Sequence, residues 1–278
     1  MDYIKLLRPK HYIKNVIIFL PMFFGGMLFD KSRWILALLG FVAFCFVSSA
    51  IYIINDYRDI EKDRMHPTKK NRPLASGRVN PTVALVIAAA LIVATAAILV
   101  YAKSLGAALL LGLYFVLNVA YSFGLKDVPI VDIVILASGF VIRLLFGGVV
   151  TNVNLSEWIL LVVMTGSLYM GLGKRRNELK SQSNTRKVLK YYNLEFLDKN
   201  MYVCIALTIA FYALWSIDVE NPYMIWTVPV FIILLMRYSL NVEGDSDGDP
   251  VEVILHDKFL ILLATVYAVM IFALFYAV

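Results

Sequence analysis

The sequence predicts an all-α, polytopic membrane protein of about nine spanning helices, built as one domain over residues 1–278. Three observations predict it. Of 278 residues 60% are hydrophobic and only 17% charged, with mean hydropathy +0.75, more apolar surface than a soluble domain can hide. Apolar runs recur along the whole chain, most of them close to the roughly 20 residues a spanning helix needs. None shows the period-two alternation of a membrane β-barrel.

In order, residues 2–15 (DYIKLLRPKHYIKN) read as a basic interfacial segment. It leads into a short apolar stretch, 16–29, which contains Pro21 and Gly25-Gly26 and is expected to kink or re-enter. Further spans are expected at 34–54, 82–102, 105–121, 130–150, 158–172, 201–217, 224–240 and 259–278. The polar stretches 55–80, 174–200 and 241–257 separate them. No soluble domain, tandem repeat or low-complexity tract is evident, and no small-residue cleavage site suggests a removable signal peptide. Cys45 and Cys204 fall inside spans as packing residues, without a disulfide or zinc pattern.

With the N-terminus in the cytoplasm, 22 of the 26 Lys and Arg lie at the cytoplasmic ends. Lys31, Arg33 and Lys103 lie opposite, and Arg143 lies inside a span. This positive-inside asymmetry predicts a multi-pass protein of the inner (plasma) membrane with a polar cavity on its cytoplasmic side. The net charge of +6 follows from that topology. Nucleic acid is not an expected partner, because the positive charge is split among membrane loops.

The chemistry gathers just after the second apolar run. Asn55, Asp59 and Asp63 are spaced i, i+4, i+8, so a helix makes them one oxygen-bearing stripe, with Asp56 one residue off it. Mg²⁺ takes such hard oxygen ligands, commonly one or two carboxylates plus substrate phosphates. Lys62, Arg64, His66, Lys69, Lys70 and Arg72 stand beside the acids, which suits a metal-bound diphosphate. The plainer readings are a solvated helix end, a His66 that caps a turn before Pro67, and lysines that only obey the positive-inside bias. Arg143 lies about mid-span, where insertion costs about 2.5–3.5 kcal/mol, and is expected to face a cavity or an acid such as Asp132. Lys126 sits near the interface as an anchor or a phosphate ligand. The DSDGD run at Asp245–Asp249 fails as an EF-hand, since Pro250 and His256 stand where Gly and Glu are required.

Two motifs carry a resemblance. NDxxDxxxD from Asn55 with RPLASG (Arg72–Gly77), and YSFGLK (Tyr121–Lys126), resemble the UbiA superfamily of intramembrane prenyltransferases. Most members carry a second aspartate motif after the sixth span; here the place reads GKRRNE, with Lys174 and Glu178 where aspartates would stand. Together with DRMHPTKKNRP, PIVDIVILASGFVIR and DPVEVILHD, that departure is similar to the decaprenyl-phosphate phosphoribosyltransferase branch, over nearly the whole chain.

The resemblance implies a UbiA-like bundle that moves 5-phosphoribose from phosphoribosyl diphosphate to a polyprenyl phosphate and supplies a lipid-linked pentose for cell-envelope glycans. It implies Mg²⁺ at Asn55, Asp56, Asp59 and Asp63, and catalytic roles for Asp59, Asp63, Lys126 and Arg143. Substrate binding is expected from Lys14, Asn15, Arg58, Arg64 and His66. It is also expected from Lys69, Arg72, Tyr121, Lys126 and Arg143, and from Lys174, Arg175 and Glu178. Asp249, Glu252 and Asp257 match the branch without an assigned role. Membrane lipids are expected partners, and a homo-oligomer is left open. The alternative activity is prenyl transfer to an aromatic or other small acceptor. A transporter should show inverted repeats with broken helices at the midplane, whereas these polar motifs gather at one face.

Overall fold

A computed structural model describes residues 2–181, 186–244 and 250–276, so the Asp245–Asp249 run lies outside the described residues. Those residues form helices and turns without a strand, as the hydropathy pattern requires. They divide into two compact units. The first holds the chain up to Phe23, Met27–Phe123 and Ile142–Asn154; the second holds Phe24–Gly26, Gly124–Val141 and everything from Leu155 on.

The first unit opens with α1 (Asp2–Leu7) and a 3₁₀ helix, Pro9–Phe19, followed by the short α2 (Leu20–Phe24). The expected stretch 16–29 is therefore not one regular span. Residues 2–15 are also more than an interfacial segment, because Leu6 and Asn15 are buried. The cause is the three-residue repeat of a 3₁₀ helix, which stacks Tyr12, Asn15 and Ile18 on one face. Tyr12 meets the Ser49 hydroxyl at 2.8 Å, the Asn15 amide donates to Cys45 Sγ at 3.1 Å, and Ile18 enters the core.

α3 (Lys31–Arg58) receives that face. It starts at Asp30, whose carboxylate accepts the Ser32 N–H at 3.0 Å. After α4 (Ile60–Arg64), α5 (Pro81–Ala102) begins on an Asn80–Pro81 cap, with Thr82 N–H donating to Asn80 at 2.8 Å. Lys103, left-handed at φ 49°, ends α5, and Ser104 caps α6 (Leu105–Ser122). Ala43, Phe44 and Val47 of α3, Leu111 of α6, and Phe146 and Val150 of α7 (Val131–Thr151) build the core. A Cβ on Gly147 would stand 2.2 Å from the Ile18 carbonyl oxygen, so glycine there admits the 3₁₀ segment.

The second unit takes the start of α7, then α8 (Glu157–Lys180), a 3₁₀ turn (Lys187–Tyr191) and α9 (Leu194–Asp218). A further 3₁₀ turn, Pro222–Trp226, runs into α10 (Thr227–Glu243); α11 (Pro250–His256) and α12 (Lys258–Tyr276) follow. Tyr169, Leu172, Leu197, Met201, Tyr238 and Val242 form the centre of its core.

Seven helices among the described residues are long and apolar enough to cross a membrane, and the chain is an integral membrane protein. They are α3, α5, α6, α7, α9, Pro222–Glu243 and α12. The expected span 158–172 lies within the 24-residue α8, which continues into the polar Lys174–Lys180.

Candidate functional site

In the first unit the acidic motif closes α3. The helix stops at Arg58, and Asp59 adopts φ −94° and ψ 12° between α3 and α4. The four-residue hydrogen-bond repeat nevertheless carries across, from Asp59 N–H to Asn55 O at 3.0 Å and from Asp63 N–H to Asp59 O at 2.7 Å. The expected spacing thus survives a hitch in the helix. Asp56 and Asp63 are buried, and Asn55 and Asp59 half-buried. Arg8 Nη2 donates to Asp56 Oδ1 at 2.5 Å. Arg72 Nη1 bridges two acids, at 3.0 Å from the same Asp56 oxygen and 2.7 Å from Asp63 Oδ2. The other Asp56 oxygen, Oδ2, is buried with no hydrogen-bond partner.

Asn55 Oδ1 accepts from the Ser122 hydroxyl at the end of α6. Ser122, Asn118 and Tyr114 form an i, i+4, i+8 polar stripe on that apolar helix, each bonded to the next. The far end of the stripe reaches Arg143. Its Nε donates to Asn15 Oδ1 at 2.7 Å and its Nη2 to the Tyr114 hydroxyl at 2.9 Å, and the guanidinium lies 4.8 Å from the Phe44 and Tyr114 ring centres. The arginine is thus seated by an amide, a phenol and two aromatic faces.

Asp132, the sequence's candidate acid for Arg143, has other partners. In the second unit its Oδ2 accepts from Arg175 Nε at 2.5 Å and its Oδ1 from the Tyr192 hydroxyl at 2.6 Å. Arg175 also pairs with Glu178, which Arg186 meets at 3.2 Å. Arg175 is wholly buried. Carboxylates hold the guanidinium of Arg175, a residue expected to contact phosphate, inside the unit. Arg176 is likewise engaged, by Asp198 at 2.5 Å. Tyr192 further accepts the N–H of Ile130 at 2.6 Å, a β-branched residue held at φ 69°.

The remaining predicted residues are placed as follows. Arg58 stacks its guanidinium 4.4 Å from the Phe123 ring centre, and Arg64 donates to the Ala75 carbonyl and to Glu61. His66 Nδ1 accepts the Thr68 and Lys69 N–H groups at 3.3 Å, the turn-capping role that was its plainer reading. Lys14, Lys69, Tyr121, Lys126 and Lys174 are half-buried. Asp257 is a cap and an ion-pair partner: it accepts from Arg237 and Asn241 at 2.6 Å and from the Phe259 N–H at 2.9 Å. Sequence reasoning missed Arg8, Tyr114, Ser122 and Tyr192. The α6 stripe could have been read from its spacing; nothing local marks Arg8 or Tyr192.

No group of three or more His, Cys, Asp or Glu among the described residues is arranged to hold a metal. The donor chemistry still fits Mg²⁺, which typically binds one or two carboxylates and leaves its other positions to water and phosphate. Asp56 Oδ2 is the buried oxygen open to such an ion.

Comparison with known proteins agrees with the geometry. The model of the UbiA prenyltransferase family matches residues 18–263. A Corynebacterium glutamicum protein named decaprenyl-phosphate phosphoribosyltransferase is 37% identical over 94% of this chain and 82% of its own length. A Mycobacterium tuberculosis protein of the same name is 34% identical, over 94% and 90%. A UbiA homologue from Archaeoglobus fulgidus, solved with DMAPP and Mg²⁺, superposes with a TM-score of 0.71 at 18% identity, covering both chains in full.

Proposed function

This chain belongs to the UbiA prenyltransferase family, and we propose that it transfers 5-phosphoribose from phosphoribosyl diphosphate to a decaprenyl-type polyprenyl phosphate, releasing diphosphate. One observation carries the reading. The turn of α8 where most of the family has a second aspartate motif carries Lys174 and Glu178, and Glu178 is already engaged by Arg175 and Arg186. That turn presents a half-buried lysine, Lys174, rather than a second pair of metal-binding carboxylates.

Cations suit this reaction. The donor brings a diphosphate and a 5-phosphate, the acceptor brings a lipid phosphate, and the three repel one another. A lipid phosphate oxygen attacks the anomeric carbon of the ribose, and the bond from that carbon to the diphosphate oxygen breaks. The attacking phosphate is already anionic at neutral pH, so no side chain needs to remove a proton. Lys126, Arg143 and Lys174, with Lys69 and Tyr121, are the groups assigned to bind and orient these anions. Arg175, paired with Asp132 and Glu178, fixes the α8 turn that carries Lys174. Asn55, Asp56, Asp59 and Asp63 would hold Mg²⁺, which when bound neutralises charge on the leaving diphosphate. The Lys and Arg asymmetry supports a cytoplasmic face for this chemistry in the plasma membrane, with the product a lipid-linked pentose for envelope glycans.

The deciding experiment supplies purified protein and Mg²⁺ with one of two pairs: phosphoribosyl diphosphate and polyprenyl phosphate, or a prenyl diphosphate and aromatic acceptors. A product of phosphoribosyl-lipid mass is expected. A prenylated aromatic as the sole product would replace this reading with the alternative one.

A further inference from the structure

We propose that Arg72 is a stand-in cation: it holds Asp56 and Asp63 until a divalent metal takes its place, and it then passes to the donor's diphosphate. The inference rests on the metal–diphosphate reading above and concerns how that site loads.

The geometry is specific. A single nitrogen, Arg72 Nη1, lies 3.0 Å from Asp56 Oδ1 and 2.7 Å from Asp63 Oδ2. The two carboxylates are almost completely buried, whereas the Arg72 side chain is 30% exposed. Arg72 is therefore the member with a way out. Its backbone is anchored, with the Arg72 N–H donating to Lys69 O and the Arg72 carbonyl accepting from Ser76 N–H, both at 2.9 Å, so the movement asked of it is a rotation of the side chain alone. Arg8 takes the same Asp56 oxygen at 2.5 Å and can remain.

Asp56 Oδ2 is the second, independent observation. A buried carboxylate oxygen with no hydrogen-bond partner is rare in a native protein and points to a missing ion or water. A divalent cation bridging Asp56 and Asp63 competes with Arg72 Nη1 for the same two carboxylates, whereas Arg8 holds only Asp56 Oδ1 and leaves Asp63 and Asp56 Oδ2 to the ion. Diphosphate offers the displaced Arg72 a bidentate partner. Metal and diphosphate should therefore bind cooperatively, and by linkage each should raise the other's affinity by the same factor.

Mn²⁺ reports this without turnover. Its binding to the purified full-length protein is followed by electron paramagnetic resonance, with and without inorganic diphosphate, and corrected for the Mn²⁺ that diphosphate complexes by itself. In the parent, diphosphate should tighten Mn²⁺ binding by about ten- to a hundredfold, the scale of a charge-assisted contact. Arg72→Gln should bind Mn²⁺ alone about tenfold more tightly than the parent and lose most of the diphosphate coupling, with Arg72→Lys in between. Arg72→Gln also takes the arginine from buried Asp63 while Asp56 keeps Arg8, so Mn²⁺ should raise its melting temperature more than the parent's. That second measurement reads out even if the variant folds poorly. An Arg72→Gln protein that binds Mn²⁺ no more tightly than the parent, or keeps parental coupling, overturns the stand-in role alone. A parent that binds no Mn²⁺ with or without diphosphate overturns the metal reading, and this inference with it.

Discussion

Each unit sets an arginine between two carboxylates, and the two arrangements differ in what they leave open. In the second unit Arg175 is wholly buried between Asp132 and Glu178, and both Asp132 oxygens are bonded, one to Arg175 and one to Tyr192. In the first unit Arg72 bridges Asp56 and Asp63 from a partly exposed loop, and Asp56 Oδ2 has no hydrogen-bond partner. Both set one guanidinium against two carboxylates. Completeness separates them: a closed network holds a helix turn in place, while one with an open oxygen and a cation that can leave is fit to bind something.

The sharpest way to break the comparison is Arg175→Leu. Removing one member of a buried charged network strands the other, here Asp132, while Glu178 keeps Arg186, and typically costs about 3–5 kcal/mol. The expected outcome is a large fall in melting temperature in detergent, with little recovery from added Mg²⁺. A variant that melts like the parent would mean that the second cluster is not closed in the sense argued here.

Next in size is the effect of Asp59→Asn. Asp59 sits half-buried at the hitch between α3 and α4, so its loss should leave the fold intact. Turnover at limiting Mg²⁺ should fall by about two decades, the worth of a lost metal ligand on a leaving group. Asp63→Asn should lower both turnover and melting temperature, because Asp63 is also an Arg72 partner. Equal melting temperatures for the two variants would erase the distinction between ligand and lock. Near-parental turnover in both would remove the metal from this motif.

These expectations show what could be read from sequence. The all-α membrane fold followed from hydropathy, since twenty-residue apolar runs have few alternatives in a bilayer. The Asn55–Asp63 stripe was legible because helical spacing survives the break at Asp59. Stretch 16–29 was recognised as irregular from Pro21 and the glycines, but its 3₁₀ approach was not, because a three-residue repeat of Tyr12, Asn15 and Ile18 hides in an apolar run. The ion pairs of Arg175 were not legible for a different reason. Its partner Asp132 is 43 positions away, and Tyr192, which also bonds Asp132, is 60 positions from that aspartate; local spacing carries no information on such pairings. A cation beside a presumed phosphate site looks the same whether it faces substrate or a buried acid.

Arg143 sharpens the comparison with a smaller effect. Asn15 and Tyr114 hold its guanidinium through neutral groups, so Arg143→Leu should melt only modestly below the parent. If it binds a substrate phosphate, turnover should drop by about one to two decades. Arg143→Lys should recover part of that, since an ammonium cannot reproduce a planar bidentate contact. A collapse in stability as large as that of Arg175→Leu would move Arg143 to the structural side.

The smallest expected effect belongs to a third arginine–carboxylate contact, Arg237 with Asp257 at the start of α12. The hydrogen bond from Arg237, then that from Asn241, and the α12 N–H groups hold the Asp257 carboxyl well below the usual carboxylate range. A depressed carboxylate contributes stability that is fully present above its unfolded value of about 3.9 and is lost as pH falls through the lower folded value. At neutral pH, Asp257→Asn should therefore melt slightly below the parent. Acidification from about pH 4 downward should close that gap, because the parent then loses by protonation what the variant never had. High salt should also narrow it, since the pair is partly solvated and screened. A gap that persisted unchanged to low pH would assign the effect to packing, and the contact would then belong with the closed, structural kind.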